Sequence, residues 1–106
     1  MLATTMPKAF VYIISNTSRT LYCGITTDLR QRFKQHQNGT YENGFTARYR
    51  FDRLVWYDCV ADLNAAAKRE KEIKGWRREK KVALIEAMNP TWADLSPRLD
   101  PLHLFA

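Results

Sequence analysis

The sequence predicts an α+β fold: a three-stranded antiparallel sheet flanked by three helices in a single domain. Two short β-prone runs, AFVYIIS and TLYCGI, lie either side of a polar turn and are followed at once by a helix signal. A third such run, RLVWYDCV, stands further along, and the rest carries apolar residues at helical spacing closed by breakers. With 106 residues there is room for one modest core and not for a second.

Residues 1–8 read as a poorly ordered leader ending in Pro7. The first strand spans Ala9 to Ser15 and the second Thr20 to Ile25. Tyr12 and Tyr22 share a sheet face only if the turn between the strands has an odd number of residues, because side chains alternate with period two. A two-residue turn would send them to opposite faces. An odd turn such as Asn16-Thr17-Ser18 is expected. Gly24, near the end of the second strand, suits close backbone approach or a kink.

Thr27 or Asp28 caps the first helix, which runs to about Asn38 and stops at Gly39. Leu29 and Phe33 form its apolar stripe. Arg32 and His36, also four apart, lie beside that stripe at the edge of the buried contact. Residues 39–50, GTYENGFTARYR, form a loop in which Tyr41, Phe45 and Tyr49 interleave with Arg48 and Arg50. Two readings stand for it: stacking and phosphate contacts, or a loop pinned by its own aromatics.

The third strand, Arg53 to Val60, should place Leu54 and Trp56 on one face and Val55, Tyr57 and Cys59 on the other. Asp62 caps a second helix ending near Gly75, with Leu63, Ala66, Ala67 and Ile73 as its apolar face. Glu70 falls in the middle of that face, where a carboxylate is costly unless paired or bound to metal. Glu72 falls opposite, among lysines. A third helix, from about Arg77 to Met88, buries Val82, Ile85 and Met88, and Asn89-Pro90 ends it. The domain closes at residue 95, and 96–106 is a tail whose Leu99, Leu102, Leu104 and Phe105 must dock on the body or on a partner.

A net charge of +6 points to an anionic partner, most commonly nucleic acid, or to a merely basic surface. Residues 68–81 hold eight basic and three acidic side chains, so most of the excess lies there. Lys68, Lys71, Lys74, Arg77 and Arg78, with Arg48 and Arg50, are the nucleic-acid candidates; the alternative is a solvated helix face. Cys23 and Cys59 fall in strands and read as buried thiols rather than a disulfide. Two separated cysteines and two distant histidines do not make zinc-ligand spacing. With no signal-peptide pattern and no run near the roughly 20 apolar residues of a membrane span, a cytoplasmic protein is expected.

The order VYI, turn, YCG, then a helix with arginine and histidine at this spacing resembles the GIY-YIG nuclease family. The segment REKEIKGWRR and the later Asn89-Pro90-Thr91-Trp92 resemble its small stand-alone bacterial members, and the likeness runs from about Lys8 to Leu95. Tyr12 and Tyr22 match the tyrosines of the two triplets, Arg32 the helix arginine, His36 a histidine of many members, Glu70 the metal-binding glutamate and Asn89 the late asparagine. Phe10-Val11-Tyr12 lacks the leading glycine, and Cys23 replaces the usual aliphatic residue. Neither change removes a reactive group.

The resemblance implies an endonuclease hydrolysing phosphodiester bonds in DNA, branched or damaged forms included, with RNA as an alternative substrate. A tyrosine is then the general base, Tyr12 in preference to Tyr22, which would position water or phosphate. Glu70 would hold a divalent cation, Mg²⁺ or Mn²⁺, and Arg32 the non-bridging phosphate oxygens. His36 supplies positive charge or accepts the proton. Asn89 reads equally well as a helix-terminal residue before proline. The rival to an enzyme is a binding module that keeps the fold without the reaction, and a third class is an interaction protein dimerising through its apolar tail.

Overall fold

The computed structural model describes residues 9–38 and 50–99. The expectations for the leader, for the aromatic loop with Arg48, and for Leu102, Leu104 and Phe105 fall outside them. β1 (Ala9–Ser15) is the central strand, with β2 (Leu21–Thr26) and β3 (Arg53–Val60) antiparallel on either side, in the order β2-β1-β3. Ser15 pairs with Leu21, Ile14 with Tyr22 and Tyr12 with Gly24, so Tyr12 and Tyr22 share a face.

The turn between β1 and β2 has the expected odd parity but holds residues 16–20 rather than three. Asn16 Oδ1 accepts from the backbone N–H groups of Ser18 and Thr20, each at 3.0 Å, which holds Thr20 in the turn and starts β2 at Leu21. Arg19 takes a left-handed φ of 60° and donates its N–H to the Asn16 carbonyl at 2.9 Å.

Helices cover both faces of the sheet. Against the Tyr12 face lies α1 (Leu29–Asn38), capped by Asp28, whose Oδ1 accepts from the Gln31 N–H at 3.1 Å. Leu29 and Phe33 pack there with Ile14, Phe51, Leu54 and Leu95. Against the opposite face lie α2 (Leu63–Lys74) and α3 (Arg78–Met88), where Ala66, Ile73 and Ile85 meet Val11, Ile13, Val55 and Trp56. Ile13, Ile73 and Ile85 are each buried, a transfer gain of about 1.5–3 kcal/mol apiece.

Three details of the expected packing change. A bulge between Ile13 and Ile14 of the β1–β3 ladder breaks the alternation of β3, so Val55 and Trp56 both join the α2/α3 side while Leu54 and Tyr57 join the other. On α2 the buried seam is Ala66 and Ile73 alone. Leu63, in the first turn, is 47% exposed, and Ala67, one residue off the seam, is exposed as well. Cys59 is exposed on edge strand β3 and only Cys23 is partly buried; both are free thiols.

The outer edge of β3 is covered by the chain after α3. The Leu95 N–H donates to the Leu54 carbonyl at 2.7 Å, and Asp94 Oδ1 accepts from the Leu54 N–H at 3.0 Å. A 3₁₀ turn, Ser96–Leu99, follows and packs Leu99 against the α1 side. Among the described residues, no helix is long and apolar enough to cross a membrane.

Candidate active site

The site forms where the middle of β1, the edge strand β2 and the last turn of α1 meet. Tyr12 lies on the central strand and is 1% exposed, so its phenol needs a partner inside the fold. That partner is His36, whose Nε2 shares a hydrogen bond of 2.9 Å with the Tyr12 hydroxyl. His36 is itself buried at the end of α1, three residues on from Phe33, which anchors the helix to the sheet. The Tyr22 ring stands 5.4 Å from the imidazole and 6.1 Å from buried Phe51, centroid to centroid. The imidazole is thus set between two tyrosines.

Opposite Tyr12 on β2 stands Gly24, and its hydrogen is what makes room for the phenol. A Cβ there would lie 2.5 Å from the Tyr12 hydroxyl oxygen and 2.7 Å from Cζ. The glycine is therefore required by the ring across the ladder rather than by a turn.

Burial, and then the nearby Arg32 guanidinium, push the His36 imidazole down to about 4. At neutral pH it is an uncharged ring that can exchange a proton with Tyr12. Arg32 is half-buried one helical turn before it. Tyr12, Tyr22, Arg32 and His36 thus come together.

Glu70 approaches from the other side of the sheet, around the β2 edge. It is half-buried and pairs with Lys74 at 3.1 Å, one turn along α2. Lys74 Nζ in turn lies 6.0 Å from the centroid of the Tyr22 ring. Burial pulls the ammonium down, but the hydrogen bond and charge of Glu70 outweigh it and hold Lys74 above the ordinary lysine value. On the α2 side of the same strand, burial first and Glu70 second push the Cys23 thiol up to about 11, which leaves it protonated and unreactive. Among the described residues, no three His, Cys, Asp or Glu side chains cluster as metal ligands.

Asn89 stands apart. Its Nδ2 donates to the carbonyls of Val55 (3.1 Å) and Ala93 (2.8 Å), and its Oδ1 accepts from the Ala93 N–H (3.1 Å). Val55 is the bulged residue of β3, skipped in its register with β1. Backbone engages both ends of this buried amide, which ties α3 to β3.

Of the basic candidates, Arg50, Lys68, Lys71, Lys74, Arg77 and Arg78 are exposed. Arg78 Nη2 also donates to the Arg19 carbonyl at 2.8 Å, tying α3 to the β1–β2 turn. Sequence reasoning missed Phe51 beside Tyr22, although an aromatic just before a strand is a visible cue. It also missed the approach of Lys74 to Tyr22, which depends on how α2 docks.

Residues 8–83 match the GIY-YIG catalytic domain, a span that takes in Tyr12, Tyr22, Arg32, His36 and Glu70 and leaves Asn89 outside. A UPF0213 protein of Syntrophus aciditrophicus (strain SB) is 36% identical over 85 residues, covering 80% of this chain and 97% of its own length. A UPF0213 protein of Vibrio cholerae is 41% identical over 80 residues, covering 74% and 78%. The solution NMR structure of the UPF0213 protein BH0048 from Bacillus halodurans is similar with a TM-score of 0.52 and 28% identity, over 87% of this chain and 96% of that one. With two tyrosines from neighbouring strands facing one imidazole, and this domain match spanning most of its length, the chain belongs to the GIY-YIG family.

Proposed function

We propose that this protein is a divalent-metal-dependent endonuclease, acting in the cytoplasm, that hydrolyses phosphodiester bonds in DNA with Tyr12 as general base. The observation that carries the reading is the 2.9 Å hydrogen bond between Tyr12 and a buried, uncharged His36. An ordinary phenol, with a pKa of about 10, is a poor base at neutral pH unless its own proton has somewhere to go. His36 Nε2 is that destination: the attacking water gives a proton to the Tyr12 oxygen as the phenolic proton moves to the imidazole.

Arg32 gives this relay a dependence on substrate. It binds the non-bridging phosphate oxygens through its planar fork, and the phosphate charge offsets the guanidinium, which after burial is the second cause that depresses His36. The imidazole is then a better proton acceptor with substrate present than without it. Tyr22, half-buried on the edge strand, positions the water or the phosphate.

Glu70 fits the cation that the family implies. A single half-buried carboxylate is too little for an all-protein cage, but it suits Mg²⁺ or Mn²⁺, which keep most of their shell for water and phosphate oxygens. Lys74 already balances the carboxylate, so a cation and Lys74 compete for it. When bound, the metal supplies Lewis-acid stabilisation of charge on the phosphoryl and leaving oxygens.

The test is a Mg²⁺-dependent nicking assay on linear, branched and damaged DNA and on RNA. Tyr12→Phe and Glu70→Ala should each abolish cleavage and leave DNA affinity within about twofold. Unchanged turnover in either variant removes that residue from the mechanism. Tight binding by the unmodified protein with no cut product would make it a binding module.

A further inference from the structure

We infer that a hollow at the β1–β2 turn, bounded by Arg19, Arg78 and Lys81, binds a backbone phosphate of the nucleic-acid strand that the site acts on. It lies on the α3 side of the sheet, has a volume of about 320 Å³, and is completed by Ser18, Thr20 and Leu21. That is room for about ten waters, or for a phosphate with part of its hydration shell.

Two features argue that the hollow is built for an anion. Its boundary holds three cationic side chains and no acidic one. Among the described residues, the ion pairs formed are Arg53–Asp52, Arg69–Glu72 and Lys74–Glu70, so none of these three cations is in a direct ion pair with a described carboxylate. The Glu86 carboxylate near Arg19 is already engaged by Trp92 Nε1 at 2.7 Å. Two of the cations, Arg19 and Arg78, are also held in place. The Arg19 guanidinium lies 4.4 Å from the centroid of the buried Trp92 ring, Arg78 donates to the Arg19 carbonyl at 2.8 Å, and Asn16 pins the turn through two backbone N–H groups. Like charges from the turn and from α3 repel one another unless an anion joins them, and a partly pre-set cluster binds it with less ordering cost.

Position points to a nucleic-acid backbone. Leu21 lines the hollow, and the next residue on β2 is Tyr22, with side chains alternating across the edge strand. A strand crossing the β2 edge therefore meets the hollow on one side and the tyrosines on the other. The inference rests on the nucleic-acid reading proposed above and extends it to Arg19 and Lys81, which nothing above assigns.

The test measures binding of a short DNA duplex and of its single strand in EDTA, where no metal-dependent cleavage occurs. The pair Arg19→Gln/Lys81→Gln is compared with Arg30→Gln/Arg98→Gln, which removes the same charge from exposed sites elsewhere. Both proteins are first checked for a native circular dichroism spectrum and melting profile. The hollow pair should lose about tenfold in affinity and about one unit of slope in log affinity against log salt, as for one lost phosphate contact. The control pair should lose less than about threefold. Equal losses from both pairs, or no loss from the first, would overturn the inference. Binding that depends on the hollow in a protein that cuts nothing would sink the catalytic reading and leave this one standing. Cleavage with binding indifferent to Arg19 and Lys81 would do the reverse.

Discussion

Gly24→Ala should misplace the general base without touching it. A Cβ at Gly24 would stand 2.5 Å from the Tyr12 oxygen and 2.7 Å from Cζ, against 3.4–4 Å for ordinary contact, so the ring must retreat by about 1 Å. Tyr12 is 1% exposed and packed with Ile14, Leu29 and Phe33, which leaves it little room. Over-packing of this kind costs about 1–3 kcal/mol, and losing the buried bond to His36 adds about 1–3 kcal/mol. The opposing term is small: Gly24 has no positive φ, so alanine by itself would stabilise by about 0.4–1 kcal/mol through the unfolded chain. The clash wins. Mid-range values leave a net cost of about 3 kcal/mol, which at about 4–8 °C per kcal/mol for a domain of this size lowers the melting temperature by roughly 12–24 °C. Thermal unfolding followed by circular dichroism reads this directly, and cleavage at a temperature where the variant is folded reads the displaced phenol. The decisive control is Tyr12→Leu, which removes the colliding atoms; in that background Gly24→Ala should be neutral or slightly stabilising. A melting temperature at or above that of the unmodified protein, or an undiminished penalty in the leucine background, would refute the reasoning.

Two more outcomes test the supports of the site. His36 is held near 4 in the fold against 6.5 in the unfolded chain, so the unfolded state takes the proton first as pH falls. Its stabilising contribution is complete above pH 6.5 and declines as pH drops toward 4, by about 3 kcal/mol in all. Urea unfolding across that range should show this slope, and His36→Gln should flatten it; equal slopes in both proteins would contradict the burial argument. Asn89→Ala strands the Val55 carbonyl and the backbone of Ala93, and should destabilise by about 2–4 kcal/mol while the folded fraction keeps its cleavage rate. A collapsed rate at unchanged stability would return Asn89 to the chemistry.

Local rules made much of this protein legible. The limits of β1 and β3, the Asp62 cap and the end of α2 at Gly75 follow from β-prone runs, capping side chains and breakers, all of which act within a few residues. An odd turn places Tyr12 and Tyr22 on one face, but the sequence is also compatible with an even one, and the pairing of Ser15 with Leu21 decides it. The turn length does not follow from the chain either, because Asn16 chooses its backbone partners only in the folded turn. The bulge at Val55 is equally invisible in the sequence: it shows only in the register of β3 against β1, where Asn89, 34 residues on, bonds the Val55 carbonyl.

Which side chains are available to the site, and the order of the elements that carry them, can be read from the chain alone. So can the four-residue spacing that places Arg32 and His36 on one side of α1. Tertiary structure alone decided that His36 turns to the Tyr12 hydroxyl, that Gly24 is the space in which that phenol sits, and that Lys74 comes with Glu70 to the edge beside Tyr22. The physical reason is range. Spacing and capping act within a turn or two of chain, whereas burial, charge and steric exclusion at this site join residues far apart in sequence, which meet only after the two helical layers close on the sheet.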